Sequence, residues 1–169
     1  NLSKLRNKNF CKNFKKIIKK LTLKLKLKNN IFVHRDFHVS NLMSVNNQIG
    51  LIDSQDALIG NKAYDLASLI DDVRLKTTNK FKEKVFKFYI ETNKQIDLEK
   101  FKNDFEILSI LRNFKIIGIF MRLALRDKKR NYLKLIPYAW EMINYRIKKH
   151  SETKNLMLLL KNNFPKFIR

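Results

Sequence analysis

The stretch Phe32–Asp56, FVHRDFHVSNLMSVNNQIGLIDSQD, constrains this chain more than any other. Two short apolar runs, Leu42–Val45 and Ile49–Ile52, flank Asn46-Asn47-Gln48, and such runs around an Asn pair predict a β-hairpin. A hairpin puts Asn41 at the start of one strand and Asp53 at the end of the other. Those ends lie side by side in an antiparallel pair, so an amide oxygen and a carboxylate converge without any long-range coincidence. Ahead of the hairpin, Ile31-Phe32-Val33 is a β-prone run that delivers His34-Arg35-Asp36 into a loop.

The remainder reads as helix. Phe10, Phe14, Ile17, Ile18, Leu21 and Leu25 share one helical face from Phe10 to about Leu27. The tail Leu21–Leu27 also alternates with period two, as a strand would, but length and continuity favour the helix, which Asn29-Asn30 break. A second helix is expected over Ala63–Leu75, and a third from a cap at Thr77 or Thr78 to about Thr92, with Phe81, Val85, Phe88 and Tyr89 inward. Asp97 caps Leu98–Arg126, which forms one long helix or two consecutive ones. After the polar turn Lys128–Asn131, Tyr132–Lys148 carries Pro137 in its first turn, and Ser151 begins a last helix ending near Phe164-Pro165. The expectation is one mostly helical α+β domain over residues 1–169, without internal repeat or linker, carrying a small hairpin.

Composition narrows the setting. A single cysteine, Cys11, excludes an intrachain disulfide and a cysteine-based zinc site. No apolar run approaches the ~18 residues that span a membrane, and no secretory leader pattern opens the chain, so a cytoplasmic location is the default. The first residue is Asn1 rather than Met, which points to a fragment or a processed product. The net charge of +22, from 37 basic against 15 acidic residues, fits a nucleic-acid or anionic-membrane partner. It fits equally a chain with lysines on every solvated face. The second account is preferred, because nucleic-acid modules tend to concentrate Arg, Gly and stacking aromatics with their lysines.

The loop carries the chemistry. His34-Arg35-Asp36, Asn41 four positions beyond the intervening Phe37, and Asp53 after the second apolar run reproduce the H-R-D-x-x-x-x-N and apolar-apolar-Asp pattern of phosphoryl transfer. Asp36 is the candidate base that orients the attacking hydroxyl, and Asn41 and Asp53 are candidate Mg²⁺ ligands, being hard oxygen donors. Taken alone, Asp36 would be an ordinary turn aspartate; the joint spacing sets it apart. A zinc site at His34 and His38 competes, since i, i+4 histidines share a face on a helix, but the flanking apolar runs favour a loop here. His34 is expected to pack beneath that loop, and His38 to reach either the substrate or the core.

HRDFHVSNLM, GLIDSQDALIG and AYDLASL resemble the aminoglycoside-phosphotransferase-like kinases, which share the protein-kinase fold. The sequence Asp53-Ser54-Gln55-Asp56-Ala57 and the Gly118–Trp140 stretch bring it nearest to bacterial anomeric kinases of N-acetylmuramate and N-acetylglucosamine. The resemblance covers most of Phe32–Lys148. It implies a kinase using ATP and Mg²⁺, with Asp36 as base, Asn41 and Asp53 as metal ligands, and Asp65 bracing the catalytic loop. Gln55, Asp56 and Arg122 become candidates for the sugar side, although Arg122 sits in an apolar helix and could equally be a buried ion pair with Asp56, Asp65 or Asp71. Ser54 departs from the family, which places an aromatic residue there. The larger departure is the lack of a lysine-bearing strand and a phosphate-covering loop ahead of His34. The chain is therefore expected to be the C-terminal lobe of such a kinase, inactive by itself. Other acceptors (an aminoglycoside, choline, homoserine) and a non-catalytic basic module binding nucleic acid remain alternatives.

Overall fold

In a computed structural model that describes residues 7–168, helix α1 (Lys8–Thr22) starts at Asn7, whose Oδ1 accepts the amides of Asn9 and Phe10 at 3.0 and 3.3 Å. The helix stops at Thr22 rather than near Leu27. The cause lies far along the chain: the amides of Lys26 and Leu27 donate to Asp104 at 2.8 and 2.9 Å and cannot serve a helical ladder.

Strand β1 (Asn29–Val33) leads into the motif, and the expected hairpin follows as β2 (Leu42–Val45) and β3 (Gln48–Leu51), with Leu42 opposite Leu51 and Val45 opposite Gln48. Its turn residues, Asn46 and Asn47, both take the left-handed backbone, at φ 49° and 61°, which asparagine tolerates and a tight hairpin turn demands. Sequence reasoning did not anticipate β4 (Leu58–Asn61), which pairs antiparallel with β1, Phe32 opposite Ile59. Gly60 permits this pairing, since a Cβ there would press within 3.1 Å of Val33.

Helix α2 (Ala63–Ile70) ends five residues before the expected Leu75: the Arg74 amide turns to the Asp72 carboxylate, and the Ile70 carbonyl accepts from Lys82. Helix α3 (Asn79–Thr92) is capped by Thr78, whose hydroxyl accepts the Phe81 amide at 3.2 Å. Its inward face is rotated from the expected one. Phe81 and Phe88 are exposed, whereas Phe86 packs against Phe101 and Phe105, and Lys82 is buried. The long helix is continuous, α4 (Leu98–Leu125), and Asp97 accepts the Lys100 amide at its start. A 3₁₀ turn (Arg130–Leu135) precedes α5 (Ile136–Lys149), with Pro137 in its first turn; another (Ser151–Thr153) precedes α6 (Lys154–Asn163).

These elements make two compact units. One comprises Lys26–Ser109: both small sheets, α2, α3 and the start of α4, around Val33, Leu66, Ala67, Ile70, Phe101 and Phe105. The other comprises the described residues up to Leu25 with those from Ile110 onward, built on an aromatic cluster in which Phe10, Phe14, Phe114, Trp140 and Phe164 touch ring to ring. Mostly helical with two small antiparallel sheets, the structure has no helix long and apolar enough to cross a membrane among its described residues.

In the first unit, Lys82 donates to the Ile70 carbonyl and pairs with Asp71 at 3.2 Å, both side chains being essentially inaccessible; the Ser109 hydroxyl donates to the other Asp71 oxygen. Removing one partner strands a buried charge. Asp71→Ala is expected to lower unfolding stability by about 3–5 kcal/mol, and Asp71→Leu with Lys82→Met to recover most of it. Urea melts of the three proteins check this; a single variant as stable as the parent would refute it.

Candidate active site

The site is assembled by carboxylates that receive backbone amides. Asp65, in the first turn of α2, accepts the amide of His34 on Oδ2 at 2.7 Å and that of Arg35 on Oδ1 at 3.0 Å. The same carboxylate thereby fixes the residues leading into Asp36. Arg35 takes φ 71°, a left-handed conformation unfavourable for a residue with a Cβ, and this clamp holds it there. The Arg35 guanidinium donates to the Asp56 carbonyl at 3.1 Å, tying the loop after the hairpin to the loop before it.

His34 is buried beneath these loops, with Nε2 at 3.0 Å from the Ile52 carbonyl. His38 is also buried and opens the 3₁₀ turn Val39–Asn41. The two histidines therefore do not share a helical face, which removes the premise of the zinc alternative. Among the described residues, no group of three His, Cys, Asp or Glu side chains is placed to hold a metal.

Asn41 is buried, and its Nδ2 donates to the Asp36 carbonyl at 2.9 Å. That bond commits the nitrogen end of the amide and leaves Oδ1 as its remaining acceptor. The Ile52 amide donates to the Asn41 carbonyl at 3.1 Å, extending the hairpin ladder by one rung and setting Asp53 immediately beyond it. Asp53 is exposed and left-handed, at φ 67°. Among the described residues, none hydrogen-bonds the side-chain oxygens of Asp36 or Asp53. Two uncommitted carboxylates and one oriented amide oxygen, carried on adjacent backbone, are a donor set that suits a hard divalent cation.

Gln55 and Asp56 lie exposed in the loop before β4. Arg122 falls elsewhere, in the second unit, and is solvent-exposed. The expectation of a buried charge requiring a partner is thus corrected: Arg122 occupies the wet side of α4. Asp71, one of its suggested partners, is engaged by Lys82 and Ser109, and Asp65 by the two loop amides.

Two supporting residues escaped sequence reasoning. Asp72 accepts the Val39 amide at 3.2 Å, and its other oxygen accepts from the Arg74 amide and guanidinium at 3.0 and 3.2 Å. It therefore pins the turn that carries Asn41. Asp104 binds the amides of Lys26 and Leu27 and the Asn61 side chain, and Asn61 in turn accepts the Ala63 amide at 3.0 Å. The available signal was spacing: Asp104 falls on the apolar i, i+3, i+4, i+7 stripe of Phe101, Phe105 and Leu108, where a charge must be satisfied internally.

A surface hollow of about 690 Å³, lined by Ile31, Lys62, Tyr89 and the Thr92–Ile96 turn, holds none of the sequence-predicted site residues. Burial pushes the Tyr89 phenol above its usual range, and the nearby negative charge of Asp65 adds to the shift.

A model of the phosphotransferase enzyme family matches residues 7–100. The N-acetylmuramate/N-acetylglucosamine kinase of Neisseria meningitidis is 34% identical over 136 residues, 77% of this chain and 41% of that protein. Its namesakes from Caulobacter vibrioides and Pseudomonas putida are 31% and 30% identical, over 65% and 75% of this chain and 32% and 39% of theirs. The chain thus spans between about a third and two fifths of the length of these curated relatives.

Asp72→Ala should leave the sheets intact but release the Val39–Asn41 turn, at a cost of about 1–3 kcal/mol. Hydrogen exchange should accelerate at Val39 and Asn41 while Phe32 and Ile59 stay protected; unchanged protection of the turn would remove Asp72 from its support. Tyr89 gives a pH expectation. Its pKa is raised in the folded state, so the folded protein holds the phenolic proton more tightly. The associated stability is complete below pH ~10 and is lost as pH rises through the folded-state value. Absorbance titration at alkaline pH should show one late-titrating phenol that Tyr89→Phe removes.

Proposed function

Because the chain belongs to the phosphotransferase enzyme family, we propose that it supplies the catalytic loop of an ATP- and Mg²⁺-dependent small-molecule kinase of protein-kinase-like fold. In this role residues 1–169 form the C-terminal lobe, and a nucleotide-clamping lobe lies outside them. The observation that carries the proposal is the bond from Asn41 Nδ2 to the Asp36 carbonyl, together with the Ile52–Asn41 rung that sets Asp53 beside them. Base and metal ligands are thereby held in one rigid neighbourhood.

The chemistry asked of these residues is modest. The acceptor hydroxyl attacks the γ-phosphorus of ATP, the bond to the β-bridging oxygen breaks, ADP leaves, and the hydroxyl proton passes to the Asp36 carboxylate. Asn41 and Asp53 would hold Mg²⁺, which, when bound with the nucleotide, neutralises phosphate charge. Asp65 and His34 act only through the backbone they hold. Gln55 and Asp56, exposed beside the loop, and the buried His38 are the candidates for acceptor contacts. Arg122, exposed on α4, is a further candidate.

For the acceptor we favour the anomeric hydroxyl of N-acetylmuramate or N-acetylglucosamine, as in cell-wall sugar recycling in the cytoplasm, where ATP is available. The names of the relatives support this choice, as does the Asp53–Ala57 sequence. An aminoglycoside, choline and homoserine are the acceptors to compare.

The test is phosphoryl transfer by the 169-residue chain and by the same sequence joined to an N-terminal lobe of a relative. The isolated chain should turn over no ATP in a sugar-dependent manner. The joined protein should phosphorylate an N-acetylated amino sugar, and Asp36→Asn should lower its kcat by about 10²–10⁴-fold with little change in the KM for ATP. A sugar-dependent rate from the isolated chain would overturn the lobe assignment. Full activity of the Asp36→Asn protein would overturn the role of Asp36.

A further inference from the structure

The even spread of lysine through the sequence conceals one surface where it is not even. Helix α1 is KNFCKNFKKIIKKLT, with six lysines (Lys8, Lys12, Lys15, Lys16, Lys19 and Lys20) and no acidic residue. At 100° per residue, Lys8, Lys12, Lys15, Lys16 and Lys19 fall within about 100° of arc, and Lys20 lies just beside them. Phe10, Phe14, Ile17 and Leu21 occupy the opposite side. All six lysines are exposed, and among the described residues none has a carboxylate within ion-pair distance.

Elsewhere lysines are often matched. Lys87 pairs with Glu91, Lys100 with Asp97, Lys26 with Glu99 and Lys24 with Glu152. On α1 the i, i+4 neighbours are instead like charges: Lys8 and Lys12, Lys12 and Lys16, Lys15 and Lys19, Lys16 and Lys20. Such spacing opposes helix formation. The helix is retained because its apolar side is anchored, with Phe10 against Phe164, Phe14 against Phe114, and Leu21 buried.

We propose that this stripe is a docking surface for the phosphate backbone of nucleic acid. From Lys8 to Lys19 it runs about 17 Å in a straight line at 1.5 Å per residue, which is about five phosphate steps along one strand of a duplex. The exposed face offers ammonium groups and the amides of Asn9 and Asn13, with no aromatic ring for base stacking. It therefore engages phosphate without reading sequence. An anionic membrane fits less well. A helix that lies in a membrane interface inserts its apolar face among the lipids, and here that face is occupied by the unit's own aromatic cluster. The stripe shares no residue with the catalytic loop, and the proposal stands whether or not the chain contributes to a kinase.

The test is fluorescence anisotropy of the 169-residue chain on a labelled duplex of about 20 base pairs, long enough for several α1-sized footprints, over a range of salt concentrations. Lys12→Glu with Lys16→Glu and Lys19→Glu is compared with Lys80→Glu, Lys84→Glu and Lys102→Glu, three exposed lysines of α3 and α4 with the same change in net charge. The α1 variant should bind about tenfold to a hundredfold more weakly, and its salt slope should be shallower by about 2–3, since each phosphate contact contributes about 0.9. The other variant should lose less than half as much on a logarithmic scale. A Lys→Arg triple at the α1 positions should bind as the parent does. Circular dichroism checks folding, and Lys→Gln replacements stand in if the Glu variant is not helical. Equal losses in the two charge-reversed proteins would mean diffuse attraction and overturn the proposal. So would the absence of duplex binding, or binding through α1 to anionic phospholipid vesicles but not to the duplex.

Discussion

The loop that carries Asp36 depends on one carboxylate. Asp65 takes the amides of His34 and Arg35 together, at 2.7 and 3.0 Å, and so fixes the direction in which the chain leaves β1. Without it Arg35 would have no reason to remain at φ 71°, since a left-handed conformation costs a residue with a Cβ roughly 1–2 kcal/mol. Everything downstream inherits that choice. The Arg35 guanidinium reaches the Asp56 carbonyl, the His34 ring reaches the Ile52 carbonyl, and the Asn41 amide turns back to the Asp36 carbonyl. The two loops flanking the hairpin are therefore one bonded object.

The same device recurs. Asp72 holds Val39, and Asp104 holds Lys26, Leu27 and Asn61. A lysine ammonium donates but never accepts, so in a chain with 37 basic and 15 acidic residues the lysines cannot satisfy backbone amides. Asp72 and Asp104, at most 1% exposed, serve as buried acceptors instead. On α1 the only charged side chains are lysines.

What the sequence made legible was local. The hairpin could be read because its two strands are separated by only two residues and the Asn pair favours the left-handed turn that joins them. The Asp97 cap is equally local, whereas the sequence leaves open Thr77 or Thr78 as the cap of α3 and one helix or two over Leu98–Arg126. What stayed hidden depended on distant partners. Strand β4 is four residues with a glycine, and it is a strand only because β1 lies alongside. Helix α1 ends where a carboxylate 78 residues away captures the Lys26 amide. The face of α3 was misjudged because Lys82 looks like a surface residue until Asp71 and the Ile70 carbonyl are placed around it. Arg122 differs in the opposite sense: its sequence neighbours are apolar, yet its own side chain is exposed. The candidate catalytic residues could be named from spacing, whereas Asp72 and Asp104, which hold their surroundings in place, could not.

The charge pattern gives the loop a character that the total conceals. Between Lys28 and Lys62 there is no lysine; Arg35 stands against Asp36, Asp53 and Asp56, a local balance of 1 − 3 = −2 inside a chain of +22. The surrounding lysines would draw a polyphosphate toward the protein at long range. At the loop the sign reverses, and bare carboxylates facing phosphate would repel it at the distances chemistry requires. In the proposed reaction a divalent cation held by Asn41 and Asp53 would relieve that repulsion by neutralising phosphate charge. An ammonium beside Asp53 would compete with that cation for the carboxylate proposed to hold it, and residues 29–61 carry no lysine.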